Sequence, residues 1–350
     1  MKLALGLLFF SAVTMAAPKQ LYQVISQHPH DVEKVQPYIK TESVSGRLWI
    51  VTLEKKAPAS AMRYLKAITM EDVAHYSPVR SSFKSSPKTP IVELLKEVSI
   101  PNLKSTVEKL SSYRTRAAGT ADNQNAIAHL IEEFARLGLP TTTECYKPNA
   151  CSIIATKAGT AASKKFMMVI AHMDSVGKDF AGADDNASGT ASLIEMARVL
   201  VNTPTKQSIR FFITNGEEIN LLGARDYAKK LAERGEIKNL SFAINMDMVG
   251  YNSNGIVELE TNKEYDAGAK FMTKLAETYT TLKTKITLGA WGSDHVPFLE
   301  KGVETILTIE DWSTKTPCYH QKCDTPDTLN YNYIGEITKL NIATLLEKDN

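Results

Sequence analysis

Past the first residues, no stretch of the chain is both long and apolar enough to cross a bilayer, which takes about 20 such residues, so no internal membrane span is expected. Charge of one sign is also missing. The 41 basic and 39 acidic residues leave a net charge of +2 and are scattered along the chain. That pattern offers no basic stripe to nucleic acid or to an anionic membrane, and points to small or peptidic partners. The sequence has no H-E-x-x-H and no G-x-S-x-G, which excludes the zinc and serine hydrolase sites built on those motifs. There is no internal repeat. Cysteine is scarce: Cys145, Cys151, Cys318 and Cys323 are the only four.

What is present is 350 residues, 43% apolar and 23% charged, enough for one large core and a smaller appendage. Lys2, the apolar run from Leu3 to Val13 and the small residues after it read as a secretory leader over residues 1–16. The polar residues from Lys19 on argue against a membrane anchor. An exported chain meets an oxidising compartment, so the two close cysteine pairs predict disulfides 145–151 and 318–323. Cys318, His320 and Cys323 lack the second half-site that a structural zinc would need. The expected location is secreted or periplasmic, with no membrane attachment once the leader is gone.

Residues 17–86 form a segment apart, with a strand pattern over Arg47–Leu53 and a short helical pattern near Met62 to Leu65. It ends in the Ser-, Pro- and Lys-rich stretch 81–90, which has little to bury. This segment reads as a propeptide released by an activating protease, the alternative being a permanent accessory domain. Beyond it, 87–350 alternates helical patterns with short apolar runs. Residues 122–139, 188–201, 221–234, 264–281 and 331–347 read as helices. Residues 152–156, 166–171, 209–214, 242–246 and 303–309 read as buried strands. The pattern predicts an α/β fold, a three-layer α/β/α sandwich around a mixed, largely parallel sheet.

In such a sheet the loops leaving the carboxyl ends of strands build the site. Here those loops hold His172 and Asp174, Asp184 and Asp185, Glu217 and Glu218, Asp247, and the run Cys318-Tyr319-His320. Two histidines and several carboxylates converging on one edge make a nitrogen and oxygen donor set that suits zinc.

AHMDSVG, GADDNASG, NGEEINLLGA, NMDMVGY, GSDHVPF and CYHQKCDTPDTL occur in that order. They resemble the motifs of the M28 family of zinc peptidases, over about residues 88–345, and the chain looks like a bacterial leucyl aminopeptidase of that type. The resemblance implies two zinc ions bridged by Asp184, one completed by His172 and Asp247 and the other by Glu218 and His320. It makes Asp174 the carboxylate that orients His172 and assigns a cis bond to Asp184–Asp185. Adjacent residues in an extended segment project oppositely, so with Glu218 a ligand, Glu217 is the expected general base. His295 lies in the segment that lines the family's substrate pocket, and Met248, Trp291, Asp294, Phe298 and Tyr319 join it as substrate-binding candidates. The implied activity is removal of apolar, Leu-like residues from peptides with a free N-terminus, by a monomer. Asn220, where relatives often have Gly, and the Gln-Lys-Cys run after His320 depart from the pattern. Carboxypeptidases, glutaminyl cyclases and non-catalytic relatives share the fold, but the complete ligand set and the lack of a basic cluster for a substrate carboxylate favour the aminopeptidase.

Overall fold

The computed structural model describes residues 20–24, 34–45, 48–68, 86–252 and 254–349. The leader and residues 71–85 of the segment leading to the large domain lie outside that range. The chain divides into two compact units, a small one within residues 1–70 and a large one from Glu71 to Asn350.

In the small unit, strands β1 (Leu21–Val24), β2 (Ile39–Ser45), β3 (Leu48–Leu53) and β4 (Leu65–Ile68) form one sheet in the order β2-β3-β1-β4. Val24, Val35, Val51, Ala61 and Leu65 make its core. The strand predicted over Arg47–Leu53 is β3.

The large unit carries an eight-stranded mixed sheet in the order β11-β10-β12-β9-β7-β8-β6-β5. These strands are β5 (Thr141–Lys147), β6 (Ala150–Lys157), β7 (Phe166–His172), β8 (Ser208–Thr214), β9 (Leu240–Met246), β10 (Ile256–Thr261), β11 (Lys283–Leu288) and β12 (Thr305–Glu310). The central four, β12, β9, β7 and β8, run parallel. β6 and β10 attach antiparallel on either side of them.

β7 reads FMMVIAH and is buried at every position, as a central parallel strand must be. Its side chains alternate between two cores. Met167, Val169 and Ala171 join the larger cluster, whereas Phe166, Met168 and Ile170 join the smaller one on the opposite face. Helices Ile100–Ser111, Ala121–Arg136, Gly189–Leu200, Asp266–Tyr279 and Tyr331–Lys348 cover the first face. Helix Leu222–Glu233 and the short helix Val296–Leu299 cover the second. The three layers expected from the sequence are thus realised, with additional strands at both edges.

The chain leaves β7 toward β8 on one side and later returns as β9 on the other. That reversal opens a crevice at the carboxyl ends of the parallel strands, and the candidate site occupies it.

Candidate metal centre

His172 is the last residue of β7 and is almost wholly buried. Its Nδ1 lies 3.1 Å from the backbone carbonyl of Asp174 and 3.7 Å from that residue's carboxylate. This aims Nε2 outward, 3.2 Å from Asp247 Oδ1 and 3.3 Å from Asp185 Oδ1. Asp247 follows β9, and its other oxygen accepts a 2.6 Å hydrogen bond from Ser293. Asn245 Nδ2 in turn donates to Ser293 Oγ at 2.8 Å.

Asp185 faces a histidine with each of its oxygens. Oδ1 meets His172 and Oδ2 lies 3.1 Å from His320 Nε2, which is itself 3.2 Å from Glu218 Oε2. His320 reaches this point from a left-handed backbone conformation, φ 54°, on the loop closed by the Cys318–Cys323 disulfide, and the ring of Tyr319 stacks on it with centroids 3.8 Å apart. The second expected disulfide, Cys145–Cys151, is also formed.

Glu217 and Glu218 follow β8 and diverge. Glu217 groups with His172 and Asp247, Glu218 with His172 and Asp185. Both backbone amides donate to Asp174, Glu217 N to Oδ1 at 3.2 Å and Glu218 N to Oδ2 at 3.3 Å. Asp174 therefore braces the glutamate loop as well as sitting beside His172. Asn220, at φ 76°, holds a left-handed conformation that glycine adopts without strain and asparagine tolerates, which accounts for this departure from relatives.

Burial dominates the electrostatics. It pushes Glu218 up to about 8 and Asp294 up to about 7, and holds Glu217 well above the carboxylate range despite His172. It opposes charge on the histidines as well. The hydrogen-bonded carboxylates Asp185 and Glu218 nevertheless raise His320 to about 10, and Asp247 and its neighbours raise His172. Asp185 goes the other way: burial would raise it, but the two histidines hold it below the usual range. Buried carboxylates crowded in this way are stabilised by a cation. Glu218 meets a cationic partner only at His320, 3.2 Å from its Oε2, and the buried Oε1 has no hydrogen-bond partner among the described residues. Two donor atoms on one tetrahedral zinc at ordinary bond lengths stand about 3.3 Å apart. The four histidine–carboxylate separations here, 3.2, 3.3, 3.1 and 3.2 Å, match that spacing. The residues fit zinc.

The chain belongs to peptidase family M28. The family's model matches residues 152–345, more than half of the sequence. Aminopeptidase YwaD of Bacillus subtilis is 27% identical over 84% of the chain, which spans 64% of that protein's length. A probable leucine aminopeptidase of Arthroderma benhamiae is 26% identical over 73% of the chain and 74% of its own length. The fold matches the crystal structure of LapB from Legionella pneumophila at a TM-score of 0.70, with 18% identity, across 94% of the chain and 99% of LapB.

Within this M28 chain several expectations need correction. Asp184 does not sit between the histidines; Asp185 does. Asp184 turns inward instead, and its Oδ1 accepts from the amide of Gly250 at 2.7 Å and from Ser188 Oγ at 3.3 Å. The cis bond likewise lies one residue later, at Asp185–Asn186. Phe298 is not at the site. It is fully buried on the opposite face of the sheet, edge-on to Phe212 at 6.3 Å, because its short helix packs onto that core. Asp294 and His295 are as buried as His172 itself, Asp294 taking a hydrogen bond from Thr214 and His295 lying 3.2 Å from Glu260. Trp291 is nearly buried, its amide donating to Glu260 at 3.0 Å. Met248 and Tyr319 do meet, in an apolar cluster with Leu307, Ile309 and Trp312 next to His320. Trp312, 5.1 Å from Tyr319 ring to ring, escaped the sequence reading because it lies outside the motifs. Ser293 and Asp324 also went unnoticed; each acts through a backbone or side-chain partner distant in sequence.

Proposed function

We propose that the chain is a secreted or periplasmic two-zinc aminopeptidase that removes apolar, Leu-like residues from the free N-terminus of peptides. The observation that carries this reading is the pair of adjoining donor sets that share Asp185. His172 and Asp247 would hold one ion beside it, and Glu218 and His320 the other. Bound there, zinc supplies an acidified water and polarises the scissile carbonyl. Glu217 groups with His172 and Asp247 and not with Asp185. It accepts the proton of the attacking water at its carboxylate and returns it to the departing amine. The wall made by Met248, Trp312 and Tyr319 favours an apolar first side chain.

Residues 17–86 act in this reading as a removable restraint. Their described part has its own small core, and none of the site residues lies in it. An uncleaved chain as active as the cleaved one would end this part of the proposal.

The test offers purified protein leucyl, glutamyl and N-acetyl-leucyl anilides with and without a chelator. Fast hydrolysis of the leucyl compound alone, abolished by the chelator, is the expected result. Equal hydrolysis of the acetylated and free leucyl substrates refutes the aminopeptidase reading.

A further inference from the structure

Asp324 is the residue after Cys323, four positions beyond His320, and it is nearly fully buried. It accepts from three consecutive backbone amides of another loop. The amide of Ala183 donates to its carbonyl at 3.3 Å. The amide of Asp184 donates to Oδ1 at 2.7 Å and that of Asp185 to Oδ2 at 3.0 Å. The carbonyls just before these amides are taken from the other side: Arg116, itself fully buried, donates to the carbonyls of Ala181 and Gly182.

A carboxylate placed among the acids of this site is costly to bury. Its position has a purpose only if the amides need it. The two buried amides that its carboxylate accepts from would, without acceptors, each be left with an uncompensated loss of hydration. Bonds to a carboxylate are stronger than bonds to a neutral oxygen. Asp185 and His320 come from loops 135 residues apart in sequence and meet at 3.1 Å. Asp324 belongs to the His320 loop by covalent connection and to the Asp185 loop by hydrogen bonds.

We infer that Asp324 is a positioning residue of the metal centre, locking the Asp185 loop to the disulfide-closed His320 loop so that both ligands stand ready before a metal arrives. The inference rests on the two-zinc reading above. It assigns Asp324 no contact with substrate.

The experiment uses the full chain, as parent and as Asp324→Asn. Asparagine keeps the shape but turns an NH2 group toward one of the amides. Both proteins are loaded with zinc, titrated with a chelator, and in parallel loaded with Co2+ to record the visible absorption that reports ligand geometry. Asp324→Asn is expected to hold zinc about 10–100-fold more weakly, the usual cost of losing a residue that supports a ligand, with a changed Co2+ spectrum. A variant with parental zinc retention and spectrum overturns the inference and leaves the two-zinc reading intact. A parent that binds no zinc overturns that reading, and the inference with it. Should the variant fail to fold, amide exchange in the metal-free parent decides. Slow exchange at residues 183–185 supports the lock, and exchange at the unprotected rate overturns it.

Discussion

The carboxylate of Asp174 and the amide of Glu217 are joined by a 3.2 Å hydrogen bond, and the next amide along, that of Glu218, binds the other oxygen of the same carboxylate. One side chain thus fixes the direction in which both glutamates leave the sheet. Replacing Asp174 by Asn turns an NH2 group onto one of these amides. Both turnover and zinc retention are then expected to fall by roughly 10–100-fold, since Asp174 would support the proposed base and the proposed ligand together. Steady-state kinetics alongside metal analysis checks this; a loss confined to turnover would limit Asp174 to Glu217.

The two glutamates are expected to separate cleanly. Glu217→Gln keeps the fold and the metal while lowering turnover by about 10²–10⁴-fold, the range for a lost general base. Glu218→Gln loses metal. Zinc stoichiometry of the two variants tells which is which, and the reverse result exchanges the assignments.

Asp184 and Asp185 provide a sharper contrast because they are neighbours of identical chemistry. Asp184 points away from the histidines, its Oδ1 taking the amide of Gly250 and Ser188 Oγ, and asparagine keeps an oxygen that can accept both. Asp184→Asn is expected to keep zinc and most of the activity. Asp185→Asn removes the oxygen pair that faces both histidines and is expected to lose both ions. Parental metal content in Asp185→Asn would return the shared-ligand role to Asp184.

The Cys318–Cys323 bridge closes a short loop, so its effect on global stability is only about 2 kcal/mol by the chain-entropy estimate. Its larger effect is on His320, which lies inside the loop and would otherwise have to be ordered when metal binds. Replacing both cysteines by serine is expected to leave the melting temperature of the zinc-free protein within a few degrees of the parent and to weaken zinc retention. A double variant that holds zinc like the parent shows that the bridge does not serve the site.

Much of this was legible in the residues. β7, β8 and β9 are near-continuous apolar runs; β7 ends in His172, and β8 and β9 are followed within three residues by Glu217 and Asp247, so pattern and chemistry pointed to the same place. β5 and β11 were missed because they are edge strands, with exposed or half-buried positions that dilute the apolar signal. Asp184 and Asp185 were exchanged because they lie in an irregular turn, where no periodicity says which carboxylate points outward. Phe298 was misplaced because a motif reports neighbours in sequence, whereas a short helix can turn its aromatic side chain to the far face. Asp324 was invisible for the opposite reason: its three amide partners lie about 140 residues earlier in the chain.

The Cys145–Cys151 bridge ties the outermost strand β5 to β6 across a hairpin turn in which Lys147, Pro148 and Asn149 are exposed. Such a turn is a natural point of attack for other proteases. A cut there would sever the polypeptide without separating the pieces, because the sulfur bridge spans every bond of the turn. The nicked molecule would migrate as one band until a thiol was added, and would keep its edge strand in register meanwhile. The hairpin is in this sense a place where the chain can be broken without coming apart.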